Sequence, residues 1–219
     1  MTAALRTQIQ DSLSQRLGVD LTIREKSAPE VIPTGIPALD IPRGTLTEIC
    51  GPPSSGRASI LNGTLARATR RPEFCALIDA GNGFDPLSAF NAGVQLPHLL
   101  WVRCGGSAEK ALKAADLVIQ AGGFGVVALD LAGVSARDAR RISLASWFRL
   151  RHAVEKTPTA LILIGEERYA ASCSTLQLEN RATGFQIADD LLGGLSVDAV
   201  IGPRHRGASH FTLRPLYRK

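Results

Sequence analysis

The stretch TLTEICGPPSSGRASI, residues 45–60, limits the possible folds more than any other part of the chain. A short strand, Leu46–Cys50, runs directly into a turn bounded by Gly51 and Gly56, and a helical pattern begins at Arg57 and continues to about residue 70. A strand passing into a helix through a glycine-bounded turn is the first half of a crossover unit, whose second strand must lie parallel to the first. Parallel sheets need both faces covered, because their connections place helices on each side. The expected class is therefore α/β: a mostly parallel twisted sheet with helices on both faces.

The rest of the sequence keeps that rhythm. Residues 75–79 and Leu99–Arg103 read as strands, and Ser107 caps a helix with Ala108, Ala111, Leu112, Ala115, Val118 and Ile119 on one face at a period of 3.6. Gly122, Gly123 and Gly125 end that helix. A buried strand, VVALDL, follows over residues 126–131, then a Ser135/Asp138 capping pair, a helix over 143–154 and an apolar strand over 161–164. Residues 176–179, 195–201 and 210–213 then read as strands with no helices between them, which predicts an antiparallel C-terminal extension. Upstream, residues 2–17 read as a helix ended by Gly18, and Pro29, Pro33, Pro37 and Pro42 are expected to break up regular structure before the first strand. The expected organisation is an N-terminal helix and linker over residues 1–30 and a single core domain over 31–219.

The glycine-rich turn, GPPSSGRAS, has the spacing G-x-x-x-x-G-K-[ST] of a phosphate-binding loop and lies between a strand and a helix, as that motif requires. The candidate nucleotide loop is Gly51, Pro52, Pro53, Ser54, Ser55, Gly56, Arg57, Ala58 and Ser59. Glycines let backbone N–H groups curl inward, and the helix N-terminus favours an anion. Two positions depart from the pattern. Arg57 replaces lysine with a broad guanidinium fork, and Ala58 replaces the hydroxyl that would ligate magnesium. Ser59 lies next to it but points about 100° away around a helix. Asp130 closes an apolar strand where the metal-holding aspartate of such sites stands. A glycine-rich strand-to-helix turn without nucleotide duty remains the alternative.

Charge adds a second theme. The chain carries a net charge of +5 with a pI near 9.3, and from Pro203 onward it holds Arg204, His205, Arg206, His210, Arg214, Arg218 and Lys219 with no acid. Arg137, Arg140, Arg141, Arg149, Arg151 and Lys156 form another cluster. Such patches suit a polyanion through counterion release, and the turn GPRHRG makes Arg204, His205 and Arg206 the candidate DNA contacts, with a solvated loop as the alternative. Trp147 and Phe148 read as core residues, with base stacking as the alternative. Cys50, Cys75, Cys104 and Cys173 lack metal or disulfide spacing and read as buried thiols. No apolar run is long enough for a membrane span and the N-terminus lacks a signal core, so a cytoplasmic location and no membrane partner are expected.

These residues carry a resemblance. PTGIPALD-IPRGTLTEICGPPSSGRASI, CALIDAGNGFDP, LPHLLWVRC, VVALDLA and LILIGEER, in order from Pro33, resemble the successive motifs of the bacterial RecA recombinase core. The resemblance implies a RecA-type P-loop fold. It also implies losses: the family's catalytic glutamate aligns with Gly81, its sensing glutamine with Glu166, its lysine with Arg57 and its magnesium-ligating threonine with Ala58. The two DNA-binding loops of the recombinase look truncated. The pattern of loss is most similar to the RecA-like proteins of bacterial inducible-mutagenesis cassettes, which implies a non-hydrolysing adaptor in damage-induced translesion synthesis. Its implied partners are RecA, an error-prone polymerase relative, or both, with DNA as a further ligand and no obligatory cofactor. The alternative is a slow ATPase using ATP and magnesium through Arg57, Ser59 and Asp130.

Overall fold

A computed structural model describes residues 30–36, 39–155, 157–188, 191–203 and 207–214. An antiparallel ribbon of β1 (Val31–Ile36) and β2 (Leu39–Pro42) comes first. The main elements follow as β3 (Leu46–Cys50), α1 (Arg57–Ala68), β4 (Phe74–Asp79), α2 (Pro86–Asn91), β5 (Leu99–Arg103), α3 (Ala108–Ala121) and β6 (Phe124–Asp130). After these come α4 (Ala136–Arg140), α5 (Leu144–Glu155), β7 (Ala160–Gly165), β8 (Leu176–Ala188), β9 (Leu191–Pro203) and β10 (Gly207–Leu213).

Eight strands form one sheet in the order β10-β9-β8-β3-β7-β6-β4-β5. From β8 to β5 the neighbours are parallel, and β8, β9 and β10 pair antiparallel. The expected α/β architecture with an antiparallel extension is what the chain adopts. Alternation along the central strands divides the core in two. Val126 and Ala128 of β6 and Ile162 of β7 face α1 and the ribbon, whereas Val127, Leu129 and Leu163 face α3 and α5. Each of these apolar side chains is essentially sealed from water, worth about 1.5–3 kcal/mol for a residue the size of leucine. Trp147 is 1% exposed in the second core, which assigns it to packing; Phe148 is partly buried and stacks on His152.

Two local expectations need correction. The prolines do not abolish order before β3: Pro33 lies opposite Asp40 and Pro42 opposite Val31 in the ribbon. A two-stranded ribbon leaves one edge of each strand outward, so a missing N–H need not interrupt the ladder. Where the register shifts, the Thr34 hydroxyl donates to the Leu39 carbonyl and receives the Ile36 N–H, at 3.1 Å for the latter. After β4, the stretch GNGFDP leads into α2, with Asp85 accepting from the Leu87 and Ser88 amides and Pro86 at the first helical position. The expected capping by Ser135 is present, but it opens a separate short helix, α4, ahead of α5. The N-terminal helix expected over residues 2–17 and the boundary at residue 30 fall largely outside the described residues.

Candidate functional site

Parallel strands β3, β7, β6 and β4 all finish at one edge of the sheet, so the loops after them converge there. That convergence follows from topology, because ligand sites in open α/β sheets lie beyond the strands' carboxyl ends. Four of the groups singled out from the sequence meet here: the Gly51–Ser59 loop after β3, Asp130 at the end of β6, Gly81 after β4, and Glu166 after β7. Arg204, His205 and Arg206 lie outside the described residues.

The loop is built tightly. Gly51 could not carry a side chain, since a β-carbon there would meet the Asn180 carbonyl oxygen and lie 2.7 Å from the Ser55 hydroxyl oxygen. Gly56 has φ +89° as it caps α1, and a β-carbon there would lie 2.5 Å from the Leu213 Cδ1 of β10. The antiparallel extension thus braces the loop from one side. Ser55 donates its N–H to the Pro52 carbonyl at 3.2 Å, turning one potential phosphate donor inward upon the loop. Pro52 and Pro53 have no N–H to offer at all.

At the helix start Arg57 is buried, 8% exposed, and its Nη1 has no hydrogen-bond partner among the described residues. The Ser55 hydroxyl is also buried and unpartnered. Ala58 and Ser59 face outward, Ser59 into a cleft of about 500 Å³ that also takes in Asn62, Ser88, Asn91, Arg67 and Arg214. That cleft contains two arginines and no carboxylate.

Asp130 lies opposite Asp79 in the β4–β6 register. Its carboxyl is pushed up to about 6, first by burial and then by the Asp79 charge, against the lowering effects of the Ala132 N–H at 2.8 Å and the Arg57 guanidinium. Asp79 was not singled out from the sequence as a site residue. It accepts from the Gly83 amide at 3.0 Å, the Phe84 amide at 3.1 Å and the Trp101 indole at 3.2 Å, so its oxygens are occupied in holding the loop after β4. The signal was present in the sequence, since Asp79 ends an apolar strand just as Asp130 does. That loop carries Gly81. A β-carbon at Gly81 would collide with the backbone carbonyl oxygen of Ala132 and lie 3.2 Å from the Gly133 α-carbon.

These residues offer an anion one buried guanidinium and the open N–H groups of a helix N-terminus. They offer a divalent metal a single carboxylate, Asp130, with no oxygen at position 58. Among the described residues no group of three or more His, Cys, Asp or Glu side chains could hold a metal ion.

On the other side of the loop, Glu166 is exposed and lines a second cleft of about 820 Å³ with Glu167, Glu179, Asp198, Arg168 and Arg181. The loop after β7 is fixed from beneath by Glu48 of β3, which is fully buried and receives the Tyr169 and Ala170 amides at 2.5 and 2.9 Å. Burial raises the Glu48 pKa above its ordinary value despite those bonds. The basic cluster near α5 is largely neutralised: Arg140 pairs with Glu167, Arg141 with Asp138, Arg149 with Asp116 and Arg151 with Glu155. Sequence proximity suggested an excess of positive charge there; folding brings Asp116 and Glu167 to it from other elements. All four cysteines are free and buried. None of the helices among the described residues is long and apolar enough to cross a membrane.

Comparison with known proteins adds the family context. Residues 4–166 match the family described as the RecA N-terminal domain. The chain is 40% identical over 108 residues to "Protein RecA" of Methylococcus capsulatus, covering 46% of this chain and 31% of that protein. It is 31% identical over 162 residues to "Protein RecA" of Chloroflexus aurantiacus, covering 64% of this chain and 46% of that protein. It thus spans less than half the length of these curated relatives.

Proposed function

Since the chain belongs to the RecA family, matching its N-terminal domain over residues 4–166, we propose that it serves DNA repair as an accessory protein that binds partners without turning over ATP. The observation that carries this is the crowding at Gly81. At the place of the family's water-activating glutamate, the carbonyl of Ala132 occupies the space any side chain would need. Hydrolysis of a phosphoanhydride depends on a positioned water and on charge stabilisation at the transferred group. Here the activating acid has no room, the metal hydroxyl is replaced by Ala58, and Glu166 brings negative charge where a neutral amide would contact phosphate. What remains suits holding a shape, or at most a loosely bound anion against Arg57.

The specific setting we propose is damage-induced translesion synthesis, with a RecA recombinase, a translesion polymerase relative, or both as partners and DNA as a further ligand. Its support is the resemblance of PRGTLTEICGPPSSGR and SWFRLRHAVEKTPTALILIG to the RecA-like proteins of mutagenesis cassettes. A second reading, a slow ATPase, draws on the unpartnered Nη1 of Arg57, which a phosphate oxygen would satisfy.

One assay separates the two. Purified protein is incubated with ATP and magnesium, with and without DNA, and phosphate release is followed. The adaptor reading expects release no faster than the buffer control. Release that saturates with ATP and disappears in Asp130→Ala would establish the ATPase instead.

A further inference from the structure

Strand β8 continues well past the point where its neighbour stops. Its pairing with β3 ends at Cys50 opposite Glu179, whereas its pairing with β9 runs on to Ala188 opposite Leu191. Over residues 181–188, therefore, β8 has β9 on one side and no strand on the other among the described residues. Free sheet edges are normally blunted by lysine, proline or a short strand. This one reads RATGFQIA, with neither lysine nor proline; Arg181 and register shifts between Ala182 and Gly184 and between Gln186 and Ile187 interrupt it, and it carries Phe185 and Ile187 at alternate positions, 64% and 74% exposed.

The free edge starts at the 820 Å³ cleft, which Arg181 lines, and runs on beyond it through Phe185 and Ile187. Cys50, Gly51 and Pro52 mark where β3 turns away, and Arg181 begins the unpaired edge. Four carboxylates, Glu166, Glu167, Glu179 and Asp198, line this cleft against two arginines, Arg168 and Arg181. Glu179 is engaged with Arg168 at 2.7 Å, Glu167 with Arg140 and Asp198 with His210 at 2.6 Å, which leaves Glu166 without an ion pair among the described residues. Asn180 also lines the cleft; it is 1% exposed, and neither its Oδ1 nor its Nδ2 has a hydrogen-bond partner among the described residues. A buried, unpaired amide is costly, and a peptide group offers it both a donor and an acceptor.

We infer that residues 181–188 of β8 and the adjoining acidic cleft form a docking slot for an extended segment of a partner protein. The segment adds a strand along β8, lays apolar residues at alternate positions beside Phe185 and Ile187, and ends in lysine or arginine within reach of Glu166. Strand addition supplies main-chain hydrogen bonds, and side-chain pockets supply selectivity. The unpaired Glu166 carboxylate favours a basic protein segment over nucleic acid, which it repels. The slot deepens the adaptor reading by stating where a protein partner docks. Phosphate release and peptide binding are separate measurements, so either idea can fail alone.

The test uses the full chain and a fluorescent peptide of about ten residues, alternating Val and Thr and ending in two lysines, with a version ending in two glutamates as control. Anisotropy should show the lysine peptide binding at least about tenfold more tightly than the glutamate one. Amide exchange at residues 181–188 should slow on binding. The double variant Phe185→Ser/Ile187→Ser, whose side chains are exposed and dispensable for the core, should lose most of the affinity, as should Glu166→Lys. The proposal is overturned by equal binding of both peptides, by binding that leaves exchange at 181–188 unchanged, or by absence of binding. It is equally overturned, in favour of self-pairing, if those amides are already protected in a dimer that Phe185→Ser/Ile187→Ser dissociates.

Discussion

Gly81 and Ala132 meet backbone to backbone: the space in front of the Gly81 α-carbon is filled by the Ala132 carbonyl oxygen. Two loops, one after β4 and one after β6, have closed on each other there. Packing alone therefore leaves no room for a side chain at position 81.

Restoring the acid should consequently fail. Gly81→Glu is expected to lower stability by about 1–3 kcal/mol, the usual range for forcing atoms into a filled site, and to leave phosphate release at background. Urea unfolding and a phosphate assay on the same preparation check both. Gained hydrolysis without lost stability would mean that the loops part easily, and the crowding would then carry no functional weight.

Asp130 should make the fold less stable as pH rises. Its folded pKa, about 6, lies above the ordinary 3.8, so between those values the folded state holds a proton that the unfolded state has released. The favourable contribution is complete below about pH 4 and is lost as pH climbs through 6. Each tenfold difference in proton affinity between the two states corresponds to about 1.4 kcal/mol. The loss therefore comes to roughly 2 kcal/mol after allowance for the partly exposed position. Asp130→Asn keeps an oxygen for the Ala132 amide and should flatten that slope in denaturant midpoints measured from pH 4 to 8. An unchanged slope would place the titration elsewhere, Glu48 being the next group with a raised pKa.

Glu48 should behave as a pin for the loop after β7. Glu48→Ala leaves the Tyr169 and Ala170 amides without their acceptor, at a cost of about 1–3 kcal/mol for each buried donor. Glu48→Gln retains one acceptor oxygen and should lose less. Hydrogen exchange read at Tyr169 and Ala170 should be fastest in the alanine variant, slower in the glutamine variant and slowest in the wild type. Exchange that stays the same in all three would show that the loop is held by other contacts.

DNA affinity, if the stretch GPRHRG supplies it, should depend on Arg204 and Arg206. Replacing Arg204 and Arg206 together by alanine is expected to weaken DNA binding and to reduce the salt slope by about 2. Arg140→Ala and Arg149→Ala should change it little, because their partners Glu167 and Asp116 already neutralise them. Titrations at two or more salt concentrations decide the matter. The reverse ranking would move the contact to α4 and α5.

Some of these relationships were readable in advance. Strands such as Leu46–Cys50 and Leu99–Arg103 were found at their true limits because apolar runs bounded by turn residues carry a local signal. Helix α3 began at Ser107 as expected, since a cap is a short-range hydrogen bond, here 3.3 Å to the Lys110 amide. The ribbon of β1 and β2 was missed because proline's local penalty is real, and only pairing geometry shows that Pro33 escapes it. The C-terminal strands were placed correctly but read too short: β8 extends through Arg181 and Gly184, whose side chains give no strand signal, because β9 supplies the partner.

The sequence by itself determined the parallel core and the glycine-bounded loop after β3, since these depend on residue type and spacing along the chain. Only the tertiary structure decided that the Ala132 carbonyl fills the space at Gly81, that Asp79 is committed to its own loop, and that Asp116 and Glu167 cancel arginines far from them in sequence. The physical reason is range. Propensity and periodicity act over a few residues, whereas steric exclusion and ion pairing act across space between segments that the fold alone brings together.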